Sequence, residues 1–166
     1  MDYDYFMNIA LAQAKEALSA GEFPVGCVAV CDGNIIATGM RKGTGTGTPN
    51  EIDHAEMLAL KGLSESRQTF DPERITVLST LEPCLMCFGA ILLSGAEKIV
   101  YAYEDVMGGG TNCDLTKISP LYRNCNISIV SGVMRQESIK LFKEYFADSA
   151  NNYLSGTLLA KYTLGI

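Results

Sequence analysis

The sequence contains no tryptophan and only one histidine, His54. Any chemistry that needs an imidazole, as metal ligand or as proton carrier, must use that residue. Apolar runs long enough to cross a bilayer, about eighteen residues, are also lacking. The first residues, Met1-Asp2-Tyr3-Asp4-Tyr5, carry none of the basic charge that opens a signal peptide. From these absences we expect a cytoplasmic protein with no membrane partner. Cations are scarce, 13 Lys+Arg against 19 Asp+Glu for a net charge of -6, a balance that works against broad contact with a phosphate backbone. The short basic clusters are Arg41-Lys42 and the scattered Lys140, Lys143 and Lys161. Neither an internal repeat nor an interdomain linker interrupts the chain. With 48% hydrophobic residues among 166, residues 1–166 are expected to form a single domain around one core.

Six cysteines without a secretory start read as reduced thiols or metal ligands rather than a disulfide framework. Cys27 and Cys31 lie four apart in a strand pattern, so period-two alternation places both on one face as small buried hydrophobes. Cys113 and Cys125 are isolated. Only Cys84 and Cys87 have ligand spacing.

From Tyr5 to Ala20, Phe6, Ile9, Ala10, Ala14, Ala17 and Leu18 recur at three- and four-residue intervals, which predicts an amphipathic helix capped by Gly21. Val25 to Cys31 and Ile35 to Ala37 flank Asp32-Gly33, a dipeptide that accepts the positive φ angles of a type I′ hairpin turn. Gly39 to Pro49, with its Gly-Thr repeat, is a loop and completes no phosphate-binding glycine motif. Asp53 opens a helix carrying His54 and Glu56. A strand follows at Ile75 to Ser79, and Pro83 starts a second helix that stops near Gly95. Lys98 to Tyr103 and Ile127 to Val130 are further strands, joined by a crossover with a short helix near Leu115 to Leu121, so that the last two strands run parallel. Val133 to Ala147 is a final amphipathic helix, and the mildly apolar tail Asn152 to Ile166 packs on a neighbour or over the site. The pattern predicts an α/β fold, a three-layer α/β/α sandwich with a single mixed sheet of about five strands.

Cys84 and Cys87 are one turn apart in a first helical turn, where free N–H groups and the helix dipole favour thiolates, and Pro83 presets helix entry. Two cysteines leave a metal site incomplete, and His54 is the one imidazole that can complete it. A His and two Cys leave a fourth tetrahedral position open for water, the pattern of a catalytic Zn2+. Glu56, two residues from His54, supplies the carboxylate that such chemistry needs for proton transfer. Other readings account for single segments: a capping box for Asp53-x-x-Glu56, a redox pair for Cys84-x-x-Cys87, a buried core residue for His54.

The H-x-E and P-C-x-x-C segments together match a known signature and resemble the zinc-dependent cytidine deaminase superfamily. Glu22-Phe23-Pro24-Val25-Gly26, His54-Ala55-Glu56, Leu81-Glu82-Pro83-Cys84-Leu85-Met86-Cys87 and Gly89-Ala90 are similar to the branch of tRNA adenosine deaminase, guanine deaminase and fungal-type cytosine deaminase. The resemblance implies a hydrolytic deaminase with His54, Cys84 and Cys87 on Zn2+ and Glu56 as catalytic proton shuttle. It also implies substrate contacts from Phe23, Pro24, Val25, the Ala55 backbone, Leu81 and Glu82, and a homodimer. Members of the branch place a substrate-holding asparagine shortly after the second strand, whereas here Thr38-Gly39-Met40-Arg41-Lys42-Gly43 has none. That departure, with the few basic residues in 104–110 and in the last amphipathic helix, favours a small-molecule amino-heterocycle (free base, nucleoside or related ring) as substrate partner over tRNA. Deamination of adenosine to inosine at the anticodon wobble position of tRNA is the alternative, and a non-catalytic zinc-binding protein with a deaminase fold is the alternative of another class.

Overall fold

The structure, a computed structural model, describes residues 1–45, 50–66 and 68–166. The first helix, α1, spans Tyr3–Ser19, its start fixed by the Asp2 carboxylate accepting from the Tyr5 N–H at 3.0 Å. Its end is the predicted one: Gly21 adopts φ +75°, and the Glu22 N–H returns to the Ala17 carbonyl at 2.9 Å. Strands β1 (Gly26–Cys31) and β2 (Asn34–Met40) form the expected hairpin, with Asp32 and Gly33 both at positive φ.

After helix α2 (Ala55–Glu65) come strand β3 (Ile75–Leu81), helix α3 (Leu85–Ser94) and strand β4 (Lys98–Tyr103). The crossover carries a 3₁₀ turn at Leu115–Lys117 and the four-residue helix α4 (Pro120–Arg123), leading to strand β5 (Ser128–Ser131) and helix α5 (Arg135–Ala147). A last helix, α6 (Leu158–Gly165), lies in the tail; the sequence pattern there is only mildly apolar and did not announce it. Thr46 to Pro49 of the Gly-Thr stretch lie outside the described residues.

The sheet is mixed and five-stranded, in the order β2-β1-β3-β4-β5. β1 pairs antiparallel with both β2 and β3, whereas β3, β4 and β5 run parallel. Every residue of β3 is buried, as a central strand covered on both faces requires. On one face Cys27, Cys31, Val77, Ile99 and Tyr101 pack with Ala55, Ala59, Phe88 and Ile91 of α2 and α3. On the other, Val28, Val30, Leu78 and Val100 pack with Phe6, Ala10 and Ala14 of α1 and with Leu141 of α5. Cys27 and Cys31 are thus core residues on one face, as their spacing predicts.

Strand directions bring the site together. Because β1 is antiparallel to its neighbours, its start, the end of β2 and the end of β3 share one edge of the sheet: Gly26 lies opposite Met40, and Cys27 opposite Ser79. The parallel strand β4 ends there too. Gly39 lets α2 sit directly on β2, since a Cβ at that position would stand 2.1 Å from the Ala55 carbonyl oxygen. The start of α2 is thereby pressed against the edge where the strands end.

Candidate active site

His54 and Cys84 are not inside their helices but are the N-cap residues of α2 and α3, with extended backbones at φ -66°, ψ 152° and φ -66°, ψ 171°. The predicted start of α2 at Asp53 is therefore two residues before its first helical residue, Ala55. An N-cap side chain points away from the helix barrel, which lets His54 and Cys84 reach across to each other. Neither caps its own helix with a side-chain hydrogen bond.

The His54 Nδ1 lies 3.5 Å from Cys84 Sγ and 3.4 Å from Cys87 Sγ, and the two sulfurs are 3.6 Å apart. A tetrahedral Zn2+ at about 2.3 Å from each sulfur and about 2.0–2.1 Å from nitrogen would set edges of about 3.8 Å and about 3.6 Å. The three donors already have that spacing, and they are the one cluster of three or more such groups among the described residues that could hold a metal ion. Their electrostatics point the same way. Cys84 is pushed down to about 4, chiefly by its hydrogen bond with Cys87 and then by His54. Cys87 is held above the usual thiol range by that same bond, by burial and by the Glu56 carboxylate. His54 is raised, first by its hydrogen bond with Cys84. Two thiols and an imidazole competing for protons at this distance are the groups whose protons one dication displaces.

Glu56 follows in the first turn of α2, only 3% exposed. The capping box is not made: Glu56 Oε1 accepts from Ser79 Oγ at 2.7 Å, and Oε2 lies 3.4 Å from Cys87 Sγ. Asp53 instead accepts from Asn50 Nδ2 at 2.6 Å. Burial raises the Glu56 carboxyl and the Ser79 hydrogen bond opposes it. A carboxyl raised by burial holds a proton more readily than a free one, which suits a group that must take and return a proton.

Above this floor is a cavity of about 180 Å³. Phe23 and Val25 from the approach to β1, Ala55, and Leu81 and Glu82 from the end of β3 line it together with His54, Glu56 and Cys84. Pro24 is buried but does not line it; it sits at the centre of a tight turn closed by the Val25 N–H donating to the Phe23 carbonyl at 2.8 Å. The Glu82 side chain works behind the wall, its Oε1 accepting from Thr111 Oγ1 at 2.5 Å and its Oε2 from the Asp105 N–H at 3.2 Å. That staple brings Asp105, Met107 and Gly108 to the cavity.

Sequence reasoning passed over Arg41, Tyr153 and Leu154 as lining residues. Arg41 stands in the stretch where the resemblance leads one to look for asparagine. Its guanidinium is turned into the loop, donating through Nη1 to the carbonyls of Lys42, Asn50 and Asp53 at 2.6, 2.7 and 3.0 Å. Its signal was the Arg41-Lys42 pair, read only as surface charge. Tyr153 and Leu154 belong to the tail expected to pack over the site, but no spacing singled them out. Ser79 carries no sequence signal at all.

Comparison with known proteins gives three results. The family described as the cytidine and deoxycytidylate deaminase zinc-binding region matches residues 1–103. Curated relatives include the tRNA-specific adenosine deaminase of Bacillus subtilis (strain 168), 33% identical over 87% of this chain and 89% of that protein. The tRNA-specific adenosine deaminase of Aquifex aeolicus (strain VF5) is 32% identical over 93% of this chain and 100% of its own length. Among solved structures, one from a study of A-to-I editing by tRNA:A34 deaminases at the wobble position of transfer RNA superposes with a TM-score of 0.66 at 27% identity, covering 82% of this chain and 98% of that one.

These relatives overturn the expectation of a small-molecule amino-heterocycle as substrate partner, since they are tRNA-specific. The physical reason is that net charge sums the whole surface, whereas nucleic-acid contact depends on the few groups around the docking face. The cofactor expectation stands: the family is a zinc-binding one, and the cofactor is Zn2+. No helix among the described residues is long and apolar enough to cross a membrane.

Proposed function

The chain belongs to the zinc-binding cytidine and deoxycytidylate deaminase family and is a hydrolytic deaminase acting on C–N bonds, and on that premise we propose that its substrate is an adenosine of transfer RNA, converted to inosine at the anticodon wobble position. The observation that carries this reading, beside the relatives, is the cavity. About 180 Å³ is well below the roughly 300–1,000 Å³ of pockets that engulf a drug-sized ligand. A cavity of that size suits a single base taken from a larger nucleic acid whose ribose and phosphates stay outside, as in enzymes that act on an extruded base.

His54, Cys84 and Cys87 would hold Zn2+, which when bound supplies Lewis acidity and a water of lowered pKa. The chain's own residues then do the following. Phe23, Val25 and Leu81 flank the ring and exclude bulk water. Backbone groups at Ala55 and at Leu81-Glu82 hold the ring edge. Glu56, oriented by Ser79, accepts one proton of the attacking water and delivers it to the ring nitrogen. It then carries the water's second proton to the amine, which leaves as ammonia while the oxygen stays on the ring carbon as the carbonyl.

Two further features belong to the same reading. Leu85 and Leu93 of α3 and Leu121 of α4 are exposed large apolar side chains, of the kind that a homodimer interface covers. The core cluster runs from Phe23 through Phe142 to Leu159, which supports residues 1–166 as one domain, and reduced cysteines with a tRNA substrate suit the cytoplasm. The test is incubation of unmodified adenosine-34 tRNA with the zinc-loaded chain, followed by nucleoside mass spectrometry. Inosine is the expected product, and none with stoichiometric enzyme would sink the proposal. Light scattering checks the dimer.

A further inference from the structure

The His54 ring presents Nδ1 to both sulfurs, so when that nitrogen binds a metal the proton must sit on Nε2. Metal-ligating imidazoles give that outward N–H to a carboxylate, a carbonyl or water, which fixes the ring and raises its basicity. Among the described residues Nε2 makes no hydrogen bond, but Glu51 Oε2 stands 4.0 Å away, beyond direct hydrogen-bond distance yet within the reach of an ion pair or of a bond carried by one water.

A glutamate that is 59% exposed would ordinarily sample many rotamers. This one is held. The same oxygen, Oε2, accepts from Tyr153 Oη at 2.8 Å and faces Arg41 Nη2 at 3.4 Å. Arg41 cannot swing away, because it is 2% exposed and its other nitrogen is engaged by three loop carbonyls. Tyr153 is fixed as well, its ring 5.5 Å below the Arg41 guanidinium and edge-on to Phe23 at 5.4 Å. A residue 102 positions away in the chain thus reaches the carboxylate beside the metal-site histidine.

We propose that Glu51 is the outer carboxylate partner of His54, and that Tyr153 and Arg41 hold it in place, so that the tail segment helps set the metal site. Glu51, Tyr153 and Arg41 are positioning residues, acting on the reaction only through His54. The inference rests on His54 as a metal ligand and is independent of the substrate being tRNA.

The test measures zinc affinity of the full-length protein by competition with a chromophoric chelator, with circular dichroism as the check on folding. Glu51→Gln, at an exposed position, should weaken zinc binding about 10- to 100-fold, the range found when an outer partner of a metal-bound histidine is removed. Tyr153→Phe keeps the ring and should weaken it by a smaller factor. The double variant should bind zinc no more weakly than Glu51→Gln alone, because Tyr153 acts through Glu51. Unchanged affinity in Glu51→Gln overturns the proposal, and losses that add in the double variant overturn the part assigned to the tail. If Glu51→Gln does not fold, Tyr153→Phe decides: unchanged zinc affinity there is also a refutation.

Discussion

The floor of the cavity comes from two helix starts only 30 residues apart, His54 and Cys84, whereas its wall is gathered from segments spread between Phe23 and Leu154. On the floor, each functional atom is placed by its own local geometry: an N-cap turned away from its helix, a thiol one turn further on, a carboxylate in the first turn. In the wall, each residue is held by something distant, as Tyr153 is by Glu51 or Glu82 by Thr111. Changes to the floor should therefore abolish chemistry or metal binding in a folded protein, while changes to the wall should cost stability and substrate binding together.

The sharpest probe of the floor is Glu56→Gln. Turnover should fall by about 10²- to 10⁴-fold, the usual contribution of a general acid–base group, with zinc still bound in metal analysis. Normal activity in that variant would break the comparison at its strongest point. For the wall, Phe23→Ala removes a buried ring packed edge-on against Phe142, Tyr145, Phe146 and Tyr153. It should cost about 3–5 kcal/mol in denaturant unfolding and raise KM, while zinc content stays stoichiometric.

Gly39→Ala tests the junction of the two regions. Its Cβ would collide with the Ala55 carbonyl, so the start of α2 must move, at about 1–3 kcal/mol and with weaker zinc binding. A stable variant with unaltered metal affinity would separate α2 from β2 in a way that the packing does not allow.

Smaller effects are expected farther out. Arg135 grips Glu104 in two hydrogen bonds, and Tyr162 of α6 donates to the same carboxylate at 2.6 Å. Arg135 therefore holds Glu104 down to about 2. A lowered carboxylate contributes its full stability above the ordinary value of 4.5 and loses it as pH falls toward about 2. Glu104→Gln should be destabilised by about 1 kcal/mol or less at neutral pH, the pair being partly exposed. In thermal melts across pH its deficit against the parent should shrink to nothing near that lower limit. Lys61→Ala, whose ammonium lies 3.9 Å from Glu65 on the surface of α2, should change stability by no more than about 0.5 kcal/mol.

Much of the floor was legible in the sequence because its signals are local. Ligand spacing, the sole histidine and the proline before Cys84 each depend on single residues or on residues within a few positions of one another. The wall was legible only through the resemblance, which pointed to Phe23, Val25, Leu81 and Glu82 and also to Pro24, a buried neighbour that does not line the cavity. Helix α6 escaped notice for a related reason. Eight residues are too few to be stable alone, and its position depends on Tyr162 reaching Glu104 and Thr163 meeting Tyr103 at 2.9 Å. The expectation of a small-molecule substrate failed because a missing asparagine, an acidic net charge and few basic residues in 104–110 and the last amphipathic helix were weighed without knowing which groups surround the docking face.

The sequence by itself determined the chemistry: thiolates, an imidazole and a carboxylate at helix-start spacing specify a catalytic zinc site, since short-range geometry suffices to place them. The family resemblance of the same segments points to deamination. Tertiary structure alone decided the surroundings. It turned Arg41 inward where a substrate-holding side chain was sought, and it laid Tyr153 over the cavity beside Glu51. Contacts between residues a hundred positions apart depend on how strands and helices pack, and no local pattern encodes them.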